Sequence, residues 1–297
     1  MSRPQLLTDA EVDRFPRRRA VEVMREALLA HASRQLHAPV RLHAADLTFT
    51  VGGTPEVFGF RAYLTRDTLA DEQLVALWDA EGRVQGLIVG GALGPLRTAA
   101  IGAVATDVLS APGASRLGLI GSGVQARAHA RTVATVRPLT QVLVYSRRPE
   151  GREALAADLR AQGLAAEAVG GAEEVCARSD LLTLATNSAQ PVIETAWVRP
   201  GTHVCTLGPK EHQRHEFSPD LTQRAVRVVT DSPAQLRAYP GGHVLAGTDV
   251  QSLGTCVGRP PARQDGDITL FLSVGLAGTE VFLARALLEE GGRDFSS

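Results

Sequence analysis

The stretch Leu117-Gly-Leu-Ile-Gly-Ser-Gly-Val-Gln-Ala126 combines a short apolar run, the pattern Gly-x-Gly-x-x-Ala and the start of a helical pattern. Gly121 permits a tight turn out of the strand, and Gly123 lets the backbone approach a pyrophosphate closely. The first turn of the helix offers free N–H groups to the phosphates. The pattern is weak alone, but here it lies between a strand and a helix and begins a series of such units. It predicts a dinucleotide-binding turn, with contacts from Gly121, Gly123, Val124 and Gln125.

Apolar runs of strand length alternate with helical patterns between about residues 114 and 265. This alternation predicts a parallel sheet that is covered by helices on both faces. The break at Ala111-Pro112-Gly113 marks a domain boundary, and a final helical pattern at Leu276–Glu290 needs a partner to bury its apolar side. We therefore expect an α/β fold with two domains. These are a Rossmann-type parallel-sheet domain at residues 113–266, and an α+β domain built from both chain ends, 1–112 and 267–297.

Composition and charge narrow the classes of function. The 297 residues are 44% hydrophobic and 21% charged, and 31 basic against 32 acidic residues give a net charge of −1. No global charge imbalance points to nucleic acid or to an anionic membrane. No apolar run approaches the ~18 residues that span a bilayer, and the first residues lack the apolar stretch of a signal peptide. Three cysteines without a CxxC pair predict free thiols. We expect a cytoplasmic protein that binds neither nucleic acid nor membranes.

The residues after the second strand of the sheet bear on cofactor choice. An NAD-selective site commonly carries an acidic residue at this strand end, where it binds the ribose hydroxyls. Here the sequence is Tyr145-Ser-Arg-Arg148, without a carboxylate. Because arginine pairs with phosphate in a forked, charge-assisted geometry, Ser146, Arg147 and Arg148 favour NADP(H) over NAD(H). NAD(H) stays an alternative, with both arginines as solvated surface residues.

Three short polar residues, Thr186, Asn187 and Ser188, follow another strand of the predicted sheet. At the carboxyl edge of a parallel sheet, such residues face the ribose or the nicotinamide of a bound dinucleotide. A turn that caps the next segment is an equally good interpretation. Both stay open from the sequence.

Four motifs together identify a family. They are Pro39-Val-Arg41, Arg97-Thr-Ala-Ala100, Ile120-Gly-Ser-Gly-Val-Gln-Ala126 and Leu270-Phe-Leu-Ser-Val-Gly275. With them the chain resembles the ornithine cyclodeaminase/mu-crystallin family over nearly its whole length. The resemblance implies a homodimer, with a Rossmann domain and a second domain that makes the dimer interface. Members of the family act on small α-amino acids, α-imino acids or cyclic imines that bear a carboxylate, with NAD(P) as the hydride carrier.

The resemblance also implies roles for individual residues. Arg41 and Arg97 match the arginines that bind the substrate carboxylate, and arginine supplies the fixed fork of donors that a small anion needs. Arg61 stands where the family usually has a lysine that contacts the substrate, although a surface position is equally compatible with the sequence. Thr98, Gly208 and Ser273 are expected beside the cofactor.

One position departs from the family pattern, in Leu207-Gly-Pro-Lys-Glu211. Family cyclodeaminases carry an aspartate here that handles protons at the substrate amine, whereas this chain has Lys210, its only lysine. An ammonium repels a cationic amine but tolerates an imine that bears a carboxylate. We therefore expect reduction of a ketimine or cyclic imine carboxylate of the pyrroline- or piperideine-2-carboxylate type. Lys210 would donate a proton or bind the carboxylate.

Several alternatives to that interpretation remain at the level of sequence. Lys210 could point to solvent. The chain could be an alanine-type amino-acid dehydrogenase or an ornithine cyclodeaminase, or a non-catalytic protein that binds NADP and a small ligand.

Two further features favour ordinary structural roles. His212-x-x-His215, flanked by Glu211 and Glu216, is typical of a solvated polar loop, and we predict no metal site there. Glu280 stands where the family often has an aspartate, and a carboxylate in the first turn of a helix complements the helix dipole.

Overall fold

The computed structural model describes residues 3–64, 72–239 and 242–291. The chain divides into two compact units, one formed by Met1–Arg97 with Gly275–Ser297 and the other by Thr98–Val274. The sequence instead places the boundaries after residues 112 and 266. A long helix that begins in the first unit and a strand at residues 268–272 that joins the parallel sheet account for the difference.

The first unit is built on a six-stranded sheet. Its elements up to the long helix are β1 (Gln5–Leu7), α1 (Asp9–Arg14), α2 (Arg17–Ala32), β2 (Leu42–Ala44), β3 (Leu47–Gly53), β4 (Val57–Leu64), β5 (Gln73–Asp79), β6 (Val84–Gly90) and α3 (Leu93–Leu109). The strand order is β1-β6-β5-β4-β3-β2, and every neighbouring pair is antiparallel except β1 with β6.

One face of this sheet is apolar and partly exposed. Alternate residues of a strand point to opposite faces, so in β4 Val57 and Arg61 are buried while Phe58 is 42% exposed. Phe60 packs between Phe49 and Trp78, with ring centroids 6.2 and 5.9 Å away. This apolar sheet face borders an 810 Å³ groove and is defined by Leu42, Phe49, Val51, Phe58, Phe60 and Trp78.

The second unit contains an eight-stranded, fully parallel sheet with the order β15-β14-β16-β11-β10-β7-β8-β9. Its strands are β7 (Arg116–Ile120), β8 (Gln141–Tyr145), β9 (Ala166–Ala168), β10 (Leu181–Leu184), β11 (His203–Thr206), β14 (Ala225–Thr230), β15 (Gln251–Ser252) and β16 (Ile268–Leu272). Its helices are α4 (Val124–Val133), α5 (Pro149–Ala161), α6 (Ala172–Arg178), α7 (Asp220–Arg224), α8 (Pro233–Arg237) and α9 (Leu253–Gly258). A parallel sheet with this helix alternation confirms the predicted Rossmann-type α/β class.

The strand order creates a reversal point at β7. The chain runs from β7 to β8 and β9 on one side, and then returns to place β10 and β11 on the other side. In such sheets, ligands bind outside the carboxyl ends of the strands at this reversal. The central strands β10, β11 and β16 are buried at every residue, as expected of a sheet covered on both faces.

Three further features bear on the predictions. The last helix, α10 (Thr279–Gly291), packs on α2 and on β3 to β6. It begins three residues later than expected, because Gly275 and Gly278 adopt positive φ angles of 85° and 81° that end regular structure there.

The expected free thiols are confirmed, since Cys176, Cys205 and Cys256 are all unpaired and buried. Among the described residues, no helix is long and apolar enough to cross a membrane.

Candidate functional site

The glycine turn has the geometry that its sequence predicts. Gly121 follows β7 with a φ of 117°, a region that side chains disfavour, and a Cβ there would collide with the carbonyl of Ala185. Gly123 is the N-cap of α4, and no side chain among the described residues caps this helix end. The N–H groups of the first helical turn are therefore available to an anion.

A cavity of 1080 Å³ opens at this turn, at the carboxyl ends of β7, β8, β10 and β11. Its volume is slightly above the ~300–1,000 Å³ typical of small-molecule and cofactor pockets. The predicted cofactor residues that line it are Gly121, Gly123, Val124, Gln125, Ser146, Arg147, Arg148, Thr186, Asn187, Ser188 and Gly208. Gln125 Oε1 is buried in this wall and has no hydrogen-bond partner in the described parts of the chain. An open helix terminus and an unpaired buried acceptor in one large cavity fit a dinucleotide.

The β8 side of the cavity carries hydroxyls and guanidiniums. Ser146 Oγ lies 3.1 Å from Ser122 Oγ and donates to the Arg148 carbonyl over 3.0 Å. The exposed side chains of Arg147 and Arg148 form no ion pair within the described parts of the chain. Arg152, which the sequence argument overlooked, donates to the Ser146 carbonyl over 3.1 Å and lies near the Tyr145 ring. This side of the cavity therefore has donors and positive charge for a phosphate.

On the opposite side of the cavity, the lining residues Thr186 and Gly208 are held by Glu216. This residue is fully buried, whereas the sequence predicted a solvated loop here. Its carboxylate accepts hydrogen bonds from Thr186 after β10 and from Gly208 after β11. The predicted polar loop is in fact a hairpin of β12 (Lys210–Glu211) and β13 (Arg214–His215), and it carries the chain into Glu216. Within the described residues, no group of three or more His, Cys, Asp or Glu side chains is placed to hold a metal ion.

Lys210 is also fully buried, so the alternative that it points to solvent is wrong. It lies on β12, and its Nζ donates a hydrogen bond to the Gly208 carbonyl over 2.5 Å. The ammonium therefore lies directly beside a residue that lines the cofactor cavity.

Two predicted cofactor residues, Thr98 and Ser273, do not line this cavity. Ser273 follows β16, is 9% exposed, and its Oγ lies 3.4 Å from Asp231 Oδ2. Asp231 also accepts from the Val274 N–H over 2.9 Å. Thr98 lies half-buried on α3.

The three predicted substrate arginines of the first unit gather around one carboxylate. Glu280, at 2% exposure, lies on α10, and its Oε1 is 3.4 Å from Arg61 Nη1 and 3.5 Å from Arg97 Nη2. Arg61 and Arg97 are 7% and 5% exposed, so neither is a surface residue. A Cβ on Gly275 would collide with Arg41 Nη2 and lie 3.5 Å from Arg97 Nη1, which places Arg41 in the same cluster. This arginine cluster, Arg41, Arg61 and Arg97 with Glu280, carries a surplus of positive charge.

Neighbouring groups fix the orientation of the cluster. Arg61 Nε donates to Gln73 Oε1 over 2.8 Å, and its guanidinium lies 4.2 Å from the Tyr63 ring centroid. Burial raises the pKa of Glu280, but Arg97, Arg61, a backbone hydrogen bond and Arg41 together lower that pKa overall. The expected helix-start position of Glu280 is confirmed, but its pairing with two distant arginines was not expected.

The cluster retains unused donors. Nε and Nη1 of Arg97 are buried and have no hydrogen-bond partner among the described residues. Buried polar groups in native proteins almost always have partners. Such a pair of donors on a cation is suited to a carboxylate ligand.

Comparison with known proteins assigns this chain to a family. A family model described as "Ornithine cyclodeaminase/mu-crystallin family" matches residues 72–291. The chain is 32% identical to the iminosuccinate reductase of Paracoccus denitrificans (73% of this chain, 70% of the relative). It is 29% identical to the mouse ketimine reductase mu-crystallin (72% and 68%) and 31% identical to a Delta(1)-pyrroline-2-carboxylate reductase of Paracoccus denitrificans (69% and 68%).

The structural comparison extends over nearly the full length. The crystal structure of the Paracoccus denitrificans iminosuccinate reductase in complex with NAD+ superimposes with a TM-score of 0.85 at 27% identity, covering 97% of this chain and 96% of that one. The family model and these relatives therefore show that the chain belongs to the ornithine cyclodeaminase/mu-crystallin family.

Proposed function

We propose that the protein is an NADP(H)-dependent oxidoreductase that reduces a small ketimine or cyclic imine carboxylate to the amino acid. The substrate would be of the pyrroline- or piperideine-2-carboxylate type. The observation that carries the proposal is the 1080 Å³ cavity around an uncapped, glycine-bounded helix terminus. The names of three relatives, which are reductases of iminosuccinate, ketimines and pyrroline-2-carboxylate, support imine reduction.

Each side of the cavity would hold one part of the cofactor. The α4 N-terminus, with Gly121, Gly123, Val124 and Gln125, would bind the pyrophosphate. Ser146, Arg147 and Arg148 would bind the 2′-phosphate, which is the basis for preferring NADP(H) over NAD(H). Thr186, Asn187, Ser188 and Gly208 would border the nicotinamide riboside. For Thr98 and Ser273, a place beside the cofactor rests on the family resemblance alone. When bound, the cofactor supplies the hydride.

The arginine cluster would bind the substrate. Arg97, with two buried donors that lack a partner, is suited to the carboxylate. Arg41 and Arg61 would complete the positive site, and Glu280 would hold Arg61 and Arg97 in place. A fixed carboxylate orients the C=N group, which contributes to the rate through positioning. Lys210, buried beside Gly208, would donate the proton to the imine nitrogen.

We also propose a homodimer and a cytoplasmic location. The apolar sheet face supports the dimer, because Leu42, Val51 and Phe58 are 62%, 42% and 42% exposed there, and such clustered apolar exposure marks a contact surface. Three free, buried cysteines suit a reducing compartment such as the cytoplasm.

An assay of NADPH oxidation tests the proposal. The substrates are pyrroline-2-carboxylate, piperideine-2-carboxylate, pyruvate with methylamine or ammonia, and oxaloacetate with ammonia. Oxidation of NADPH with at least one of them is the expected result, and oxidation with none of them contradicts the proposed reaction. Measuring ammonia release from ornithine without a net change in NADPH absorbance separates cyclodeamination from reduction. If the protein binds NADPH but oxidises it with none of these substrates, a non-catalytic ligand-binding role is favoured.

A further inference from the structure

We propose that Glu216 is a positioning residue that shapes the nicotinamide end of the cofactor cavity. The inference rests on the proposed function, because it presumes that a nicotinamide dinucleotide fills the cavity. Glu216 itself does not line the cavity; it acts through Thr186 and Gly208, which do.

Each oxygen of the Glu216 carboxylate accepts two hydrogen bonds, one from a backbone N–H and one from a hydroxyl. Its Oε2 accepts from the Thr186 backbone N–H over 2.9 Å and from the Thr186 hydroxyl over 2.8 Å. Its Oε1 accepts from the Gly208 backbone N–H over 2.5 Å and from the Thr206 hydroxyl over 2.6 Å. One buried side chain thus ties together the ends of β10 and β11.

The sheet order shows which end of the cavity this affects. Thr186 and Gly208 lie beyond β10 and β11, on one side of β7, whereas Ser146 to Arg148 lie beyond β8 on its other side. A dinucleotide whose pyrophosphate occupies the turn after β7 extends to both sides. If the adenosine 2′-phosphate lies beside the arginines, the nicotinamide lies beside Thr186 and Gly208.

The arrangement requires a carboxylate. Each oxygen faces a backbone N–H, which cannot reverse its polarity as a hydroxyl can. A glutamine would direct its NH₂ group at one of these two N–H donors and leave that donor unpaired. Gly208 is held from its other side as well, because Lys210 Nζ donates to its carbonyl. A Cβ on Gly208 would collide with Glu216 Oε2 and with the Thr186 carbonyl, so the close approach needs a glycine.

The test compares two ligands that differ at the nicotinamide end. Calorimetric titration measures the binding of NADPH and of 2′-phospho-ADP-ribose, which lacks the nicotinamide, to the wild-type protein and to Glu216→Gln. We expect the variant to bind NADPH about tenfold more weakly, as the loss of one buried hydrogen bond predicts, and the fragment within about twofold of wild type. Glu211→Gln, the same chemical change on the adjoining hairpin, is the matched control and should bind both ligands as wild type does.

Retained binding of the fragment shows that the cavity is still folded, so a purely structural defect cannot produce the selective loss. Unchanged NADPH binding by Glu216→Gln, or an equal loss for both ligands, would overturn the inference. If Glu216→Gln does not fold, Thr206→Val decides by the same criteria, because it removes a donor to Glu216 Oε1 and Thr206 does not line the cavity. A wild-type protein that binds neither ligand would instead refute the proposed function itself.

Discussion

Arg61 and Glu280 form an ion pair that is buried on both sides, with side-chain exposures of 8% and 2% and a distance of 3.4 Å between Nη1 and Oε1. Breaking one partner of a buried pair leaves an uncompensated charge. Glu280→Gln should therefore lower the free energy of unfolding by about 3–5 kcal/mol in urea titrations. It should also raise the KM for the imine, because Arg61 and Arg97 lose the group that holds them.

Glu289 provides the control on the same helix. It pairs with Arg285 at side-chain exposures of 57% and 53%, so its charge is already solvated. Glu289→Gln should lower the free energy of unfolding by at most about 1 kcal/mol. Equal losses in the two variants would show that the buried cluster has no special energetic role.

Cofactor selectivity should depend on Arg147 and Arg148. Both side chains are exposed at the cavity and form no ion pair within the described residues. Changing both to alanine should weaken NADPH binding by about 10- to 100-fold, the range for a lost charge-assisted hydrogen bond, and leave NADH binding unchanged. Changing both Arg14 and Arg18 to alanine removes the same two charges from side chains that are 64% and 80% exposed, and controls for net charge. A parallel loss of both cofactors would refute the 2′-phosphate assignment.

Two buried histidines should make the protein sensitive to acid. Burial lowers the pKa of His129 to about 4, and burial followed by nearby Arg263 lowers that of His203 to about 3. Between about pH 6.5 and 4 the unfolded chain binds protons that the native state does not, so stability falls as pH falls. Each histidine should lower the free energy of unfolding by about 2 kcal/mol between pH 7 and pH 5.

The variant His129→Met isolates one of these contributions. Neither ring nitrogen of His129 has a hydrogen-bond partner among the described residues, so an apolar side chain of similar size removes no such bond. Urea unfolding at pH 7 and pH 5 should show a loss of stability that is smaller by about 2 kcal/mol in the variant. An identical loss in both proteins would mean that His129 titrates normally in the native state.

Lys210 should be required for turnover rather than for cofactor binding. Arginine at this position keeps a cation beside the Gly208 carbonyl but cannot give up its proton near neutral pH. Lys210→Arg should therefore lower kcat for imine reduction by about 100-fold or more, with NADPH affinity within about twofold of wild type. A retained kcat would exclude Lys210 as the proton donor and leave it a role in holding Gly208.

The local parts of this account could be predicted from the sequence. Strands such as Ala225–Thr230 lie within the predicted series of apolar runs, and the glycine turn follows from steric rules that act over a few residues. Glu216 and Glu280 were not recognised, because each owes its role to partners that only folding brings near. Glu280 contacts Arg61, which is 219 positions away, and Glu216 looked solvated beside two histidines.

Non-local contacts also explain why the two compact units divide at other residues than the predicted domain boundaries. The break at Ala111-Pro112-Gly113 is a real end of a helix, since α3 stops at Leu109. A helix end need not be a domain end, however, and α3 begins in one compact unit and finishes in the other. The strand Ile268–Leu272 pairs with β11 and β14, which no local signal in the sequence indicates.

The central claim is that the cavity at Gly121–Gln125 holds a phosphorylated nicotinamide dinucleotide. Titration of the purified protein with NADPH and with NADH, followed by calorimetry, tests it most directly. We expect saturable binding of both, with NADPH bound more tightly. Binding of neither cofactor would contradict it and would leave only the fold in place.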